Sequence, residues 1–177
     1  EEAAARTQAR IDSGRQPLLG LLIGHRHQGA SVTRGEHPGG HPALRAALQD
    51  WTERWYGVRP ELERIWVPGA AMLCIVTALQ TCITTGDEVV VLGPMWPNIS
   101  QAVEAVGGRP RYVRLDHDAA KGEWRLDLGK IEAAIGPRTK ALFIGTPGNP
   151  TGWVISDAEI KALLEIARRR GVAIIAD

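Results

Sequence analysis

The chain has 177 residues, 44% of them hydrophobic, which suits a globular protein with a packed core and excludes a disordered one. Its 21 Lys and Arg residues nearly balance its 20 Asp and Glu residues, so neither a nucleic-acid surface nor a membrane surface is supported. No apolar leader and no apolar run of about 18 residues occurs, so we expect a cytoplasmic protein that does not bind membranes.

Residues 1–41 are predicted to form a short N-terminal segment, helical over residues 1–14 and irregular over residues 15–41. This segment is rich in histidine. The spacing of its histidines matches no zinc-binding frame, and no Cys or carboxylate completes a ligand set. No metal site is therefore predicted. These histidines are His25, His27, His37 and His41.

The remaining residues, 42–177, are predicted to form one α/β domain. A first helix has apolar residues at helical spacing and ends at Gly57. From residue 64 onward, apolar strands alternate with helical patterns. This alternation indicates a mostly parallel sheet with helices on both faces. Strands are predicted at residues 63–67, 88–93, 109–115, 139–145 and 172–177, with a polar loop at 116–122.

Ligands on such sheets bind at the carboxyl ends of the strands, and two unusual features occur there early in the chain. Gly69, Ala70 and Ala71 open a helix directly after a predicted strand. Free N–H groups at this helix start can hold a phosphate, although the same residues suit a simple tight turn. Trp96, stiffened by Pro97, can stack on a flat ring or cover the core.

Two further features follow the last two predicted strands. In the turn TPGNPTG, the Asn149 amide can donate to a ligand oxygen or close an Asx turn. Asp177 ends an apolar strand, where a buried carboxylate needs a ligand cation or an Arg or Lys as its partner. The four features together call for a flat, phosphorylated aromatic ring with an oxygen and a basic nitrogen. Pyridoxal 5'-phosphate fits that description.

Five stretches resemble motifs of the class I/II aminotransferase family, whose members are fold-type I pyridoxal-phosphate enzymes. The resemblance covers about residues 38–177. The stretches are GHPALRAAL, PGAAMLCIVTAL, GDEVVVLGPMWPN, TPGNPTG and VAIIAD. Among its departures from the family, Pro68 stands where many members have Ser or Thr.

The resemblance implies a role for each candidate residue. Backbone groups of Gly69, Ala70 and Ala71 would hold the phosphate, and Trp96 would stack on the pyridine ring. Asn149 would donate to the phenolic oxygen, and Asp177 would keep the ring nitrogen protonated. Gly24, in the stretch IGH, would contribute to substrate binding.

The family's Schiff-base lysine lies downstream of this Asp, so the resemblance implies no catalytic residue in this chain. Residues 42–177 would then be an incomplete cofactor-binding large domain. The expected function is that of an aminotransferase fragment, inactive alone. The full-length protein would be a homodimer that moves an amino group from an amino acid to a 2-oxo acid.

Two alternatives stay open. A pyridoxal-phosphate-dependent carbon–sulfur lyase would share every motif. An aminotransferase-like sensor domain of a transcription regulator would carry a winged helix upstream, and residues 1–41 contain none.

Overall fold

The structure is a computed structural model that describes residues 39–177. The described residues fall into two compact units, residues 39–74 and residues 75–177. Within these residues, every helix is too short or too polar to span a membrane. The predicted helix at 1–14 lies outside the described residues.

In the first unit, helix α1 (Pro42–Tyr56) ends at Gly57, whose φ of 68° is left-handed, as predicted. A short 3-10 helix, Leu62–Arg64, follows. Two side chains of α1 donate hydrogen bonds to backbone carbonyls on either side of this 3-10 helix. The Arg45 Nε donates to the Ile65 carbonyl at 2.8 Å, and the Gln49 Nε2 donates to the Pro60 carbonyl at 2.7 Å.

The prediction of a strand at residues 63–67 is wrong. Its first residues belong to the 3-10 helix, and the rest of it is irregular. The Val67 N–H donates to the Gly39 carbonyl at 2.9 Å, but no strand lies beside this segment in the described part of the chain. A strand is defined by its ladder of hydrogen bonds, and alternating sequence alone does not supply a neighbour.

Helix α2 (Ala71–Cys82) begins in the first unit and ends in the second, where a four-stranded sheet follows. The other elements of the second unit, in chain order, are β1 (Glu88–Gly93), α3 (Asn98–Ala105), β2 (Arg109–Arg114), β3 (Asp116–Asp118), β4 (Glu123–Arg125), α4 (Leu128–Ala134), β5 (Thr139–Ile144), α5 (Asp157–Arg170) and β6 (Ala173–Ala176). The strand order in the sheet is β2-β1-β5-β6, and every neighbouring pair is parallel, as predicted.

The sheet is buried on both faces. Strand β1 has five consecutive buried residues, which is typical of a central parallel strand. On one face, Val90 and Leu142 pack in a cluster with residues of α4 and α5 such as Ile131 and Leu163. The alternate residues of the strands point to the other face, where Val91 and Phe143 are equally buried.

Residues 116–125 form an antiparallel hairpin of β3 and β4, so the polar loop predicted at 116–122 is wrong in its first residues. Two side-chain contacts cross between the strands. The rings of His117 and Trp124 have centroids 4.4 Å apart, and the Arg125 guanidinium lies 3.9 Å from the Asp118 carboxylate. Both contacts join residues several positions apart, so local sequence patterns do not reveal them.

Two helix starts are capped by side chains. The Asp127 side chain accepts from the Lys130 N–H at the start of α4. At the start of α5, the Ser156 hydroxyl accepts from the Glu159 N–H, and the Glu159 carboxylate accepts from the Ser156 N–H. This capping box fixes where the chain turns from the loop after β5 into α5.

Candidate functional site

The carboxyl ends of three adjacent strands of the second unit form the candidate site. Strand β5 lies between β1 and β6, with Phe143 opposite Val91 and Ile144 opposite Ala176. The segments that leave these strands therefore start side by side. Trp96, Asn149 and Asp177 lie on these three segments.

The backbone of Asp177 is held against the end of β5. Its N–H donates to the Ile144 carbonyl, and its carbonyl accepts from the Thr146 N–H, both at 2.9 Å. Thr146 was not among the residues singled out from the sequence. Its only signal there is its position directly after the strand and before a proline, which does not reveal the bond to Asp177.

The Asp177 side chain differs from the buried carboxylate expected from the sequence, because the residue is exposed. The surrounding chain still removes enough water to raise the pKa of the carboxyl above its usual value. No Lys, Arg or His among residues 39–177 forms an ion pair with it. Asp177 thus offers a partly desolvated carboxylate that would gain from a cationic partner.

The turn after β5 is closed by its own backbone. The Gly148 N–H donates to the Trp153 carbonyl, and the Gly152 N–H donates to the Gly148 carbonyl, both at 2.7 Å. The Thr146 hydroxyl accepts from the Ile155 N–H at 3.1 Å and ties the start of the turn to its exit. These bonds hold the backbone without using the Asn149 side chain.

Asn149 is exposed, and its amide makes no hydrogen bond with any residue in the described part of the chain. The alternative role in an Asx turn is therefore not what the structure shows. Gly148 beside it has no room for a side chain, because a Cβ there would lie 2.7 Å from the Thr151 hydroxyl. The turn presents a free amide on a constrained backbone.

Trp96 lies in the short segment between β1 and α3. Trp96 is 40% exposed, so its indole covers the core only in part and keeps accessible ring surface. Its carbonyl accepts from the Ile99 N–H at 3.2 Å, which attaches the residue to the first turn of α3. The preceding residue, Met95, lies against Gly145 at the end of β5.

The predicted phosphate-binding residues belong to the first unit. The Ala70 carbonyl accepts from the N–H groups of Leu73 and Cys74, at 3.1 and 3.2 Å, so the first turn of α2 is formed. A Cβ at Gly69 would have no heavy atom of a described residue within 4 Å, which leaves the backbone accessible. An open backbone at a helix start fits an anionic group. Gly24 lies outside the described residues.

The four lysines of the chain lie away from the three strand ends. Lys121 is in the hairpin turn, and Lys130 on α4 pairs with Asp116. Lys140 is the second residue of β5, near its amino end, and Lys161 is exposed on α5. None of the four follows the carboxyl end of a strand of the four-stranded sheet.

Comparison with known proteins agrees with this geometry. Residues 7–177 match the family described as aminotransferase class I and II. An aspartate aminotransferase of Rhizobium meliloti strain 1021 is 35% identical over 130 residues, which are 73% of this chain and 31% of that protein. This chain spans about a third of the length of the curated relatives it matches.

Solved structures agree as well. The N-succinyldiaminopimelate aminotransferase from Mycobacterium tuberculosis superposes with a TM-score of 0.76 and 28% identity, over 99% of this chain and 41% of that one. Cystalysin from Treponema denticola, whose structure contains pyridoxal 5'-phosphate, superposes with a TM-score of 0.69 over 78% of this chain and 35% of its own. At 18% identity that likeness concerns the fold alone.

The match covers nearly the whole chain, and the parallel sheet with its helices is the fold-type I architecture that the sequence predicts. Pyridoxal 5'-phosphate is the standard cofactor of that family. The chain belongs to the aminotransferase class I and II family.

Proposed function

We propose that the whole protein is a pyridoxal-phosphate-dependent aminotransferase that moves an amino group from an amino acid to a 2-oxo acid. One observation carries the proposal. Three adjacent strand ends present an accessible aromatic face, a free amide and a partly desolvated carboxylate, from Trp96, Asn149 and Asp177. Each of these groups suits one part of the cofactor's ring.

Trp96 would bind the face of the pyridine ring. Its exposed indole surface is available for stacking, and its backbone is anchored at the start of α3. Asn149 would bind the ring's phenolic oxygen. An amide N–H suits an oxygen acceptor, and its constrained turn lowers the entropy cost of holding it there.

Asp177 would hold a proton on the ring nitrogen. Burial makes ionisation of its carboxyl unfavourable in the empty site, and a facing cation reverses that effect. The bound cofactor supplies an electron sink for the charge that develops at the substrate Cα. Asp177 keeps that sink effective, because its negative charge favours the protonated ring near neutral pH.

The phosphate would be held by the backbone at the start of α2, where Gly69, Ala70 and Ala71 leave N–H groups available. None of the four lysines of this chain follows the carboxyl end of a strand of the four-stranded sheet, so we propose that the Schiff-base lysine belongs to another part of the protein. We also propose that the whole protein is a homodimer, as the resemblance implies.

The test is a transfer assay with the full-length protein. A 15N-labelled amino acid is offered together with a 2-oxo acid, and mass spectrometry follows the label. We expect a new 15N-labelled amino acid in stoichiometric amounts. Release of ammonia and a thiol instead would identify a carbon–sulfur lyase. Cofactor binding without turnover of any amino acid would identify a sensor domain.

The chain of 177 residues, tested alone with added pyridoxal 5'-phosphate, should form no labelled product. This expectation rests on the placement of Lys121, Lys130, Lys140 and Lys161 away from the carboxyl ends of β1, β5 and β6. Measurable transfer by this chain would contradict the proposed origin of the lysine, but it would leave the aminotransferase assignment intact.

A further inference from the structure

We propose that Gly145 is a positioning residue: by lacking a side chain it seats Met95, and Met95 in turn fixes Trp96 for stacking on the cofactor. The inference rests on the proposed function, since it concerns the residue assigned to the ring face. It adds to the site a contact between the segments that follow β1 and β5, in which Gly145 is buried and Met95 is half-buried.

Gly145 is buried directly after β5, and its backbone does not require a glycine. Its φ is not among the positive values found at seven other glycines of the described chain. Any residue could adopt this conformation. The reason for a glycine must therefore be the space around it.

That space is filled by Met95. A Cβ at residue 145 would lie 3.3 Å from both the Cε and the Sδ of Met95. Apart from its chain neighbours, no other heavy atom of a described residue comes within 4 Å of that position. A single methyl group would already press on the thioether, and a longer side chain would expel it.

A displaced Met95 would pass part of its shift to Trp96, because the chain is restrained on both sides of the pair. Pro94 and Pro97 flank the pair, and each has a fixed φ. The Trp96 carbonyl is bonded to the Ile99 N–H, which ties it to α3. Because the chain is restrained on both sides of Met95 and Trp96, we expect a displaced Met95 to change the position of the indole ring.

The experiment measures the dissociation constant of pyridoxal 5'-phosphate in the full-length protein, after cofactor removal, by absorbance titration. Gly145→Leu should raise this constant by about 2- to 12-fold, the loss of one aromatic contact. Gly145→Ala should raise the dissociation constant less. This variant replaces Gly145→Leu in the test if the Leu variant does not fold. Met95→Ala added to Gly145→Leu should return the constant to that of Met95→Ala alone.

The decisive comparison is a double-mutant cycle with Trp96→Ala. If Gly145 acts through Trp96, Gly145→Leu should change the dissociation constant less than about 2-fold once the indole is absent. A full additional loss in that background would overturn the proposal, as would an unchanged constant in the single variant.

The matched control is Gly108→Ala. Gly108 is also buried, but it lies at the amino end of β2, away from the carboxyl ends of the strands. A Cβ there would lie 2.5 Å from the Ile83 Cδ1. This variant should lose stability and keep its cofactor affinity. An equal loss of affinity in this control would mean that Gly145 acts only through stability, which overturns the proposal. A wild-type protein that binds no cofactor would overturn the proposed function instead.

Discussion

Replacing Asp177 by Asn in the full-length protein removes one charge and little else. Both hydrogen bonds that hold this residue, to Ile144 and from Thr146, use backbone atoms, so the variant side chain should occupy the same place. Asn has nearly the shape of Asp, but it cannot hold a proton on a facing nitrogen by its charge. The change therefore tests the charge rather than the position.

The size of the effect follows from simple electrostatics. Two unit charges about 4 Å apart attract by about 4 kcal/mol when the effective dielectric constant is about 20. Asp177 is exposed, so solvent screens part of this attraction. We expect a barrier higher by about 2.7 kcal/mol or more. This corresponds to a loss of at least about 100-fold in rate, the scale seen for one preorganised electrostatic group.

The assay is single-turnover kinetics with an amino acid deuterated at Cα, which isolates proton removal from that carbon. Cofactor affinity, measured in parallel, should fall less than the rate. Asp50→Asn on α1 is the control. It removes an exposed surface charge paired with Arg59, and it should keep the wild-type rate. A near-wild-type rate for Asp177→Asn would make Asp177 a structural carboxylate and refute the reasoning.

Three further predictions concern the same residues. Trp96→Ala should weaken cofactor affinity by about 2- to 12-fold with the fold intact, since stacking contributes about 0.5–1.5 kcal/mol. Trp124→Ala, in the hairpin, is its control, and an equal loss in both would count against stacking. Asn149→Ala should raise the pKa read from the absorption of the bound cofactor, because the lost hydrogen bond stabilised the phenolate oxygen; an overlaying titration would leave Asn149 as a turn residue. Because burial raises the pKa of Asp177, the cofactor-free folded state holds that proton to higher pH than the unfolded state. Its stability should therefore fall as pH rises from about 3.9 through the raised pKa, and urea titrations of Asp177→Asn should show a smaller fall.

The elements that the sequence predicts correctly are those with local causes. Strand β1 is a continuous apolar run, and α5 begins with a capping box between Ser156 and Glu159. The two errors have distant causes. Residues 63–67 find no neighbouring strand among the described residues, and β3 pairs with β4 through contacts such as that of His117 with Trp124.

The site shows the same division. The order of the motifs is enough to place Trp96, Asn149 and Asp177 at neighbouring strand ends, because parallel strands share one carboxyl edge. The contact of Met95 with Gly145 depends on packing between segments fifty residues apart, and the backbone of Asp177 is held by residues more than thirty positions away. No local pattern encodes such a contact, so only the folded structure reveals it.

The strand order β2-β1-β5-β6 also bears on how the protein is made. Each strand that leaves the ribosome finds its partner already synthesised: β2 joins one side of β1, β5 joins the other, and β6 joins β5. These four strands can therefore pair in the order in which they are synthesised. Its slowest step should be the union of β1 and β5, where Glu88 pairs with Thr139 across the longest intervening stretch of chain. In this order Trp96 is synthesised first and Asp177 last, so the three proposed ring-binding residues lie side by side only once β6 has paired with β5.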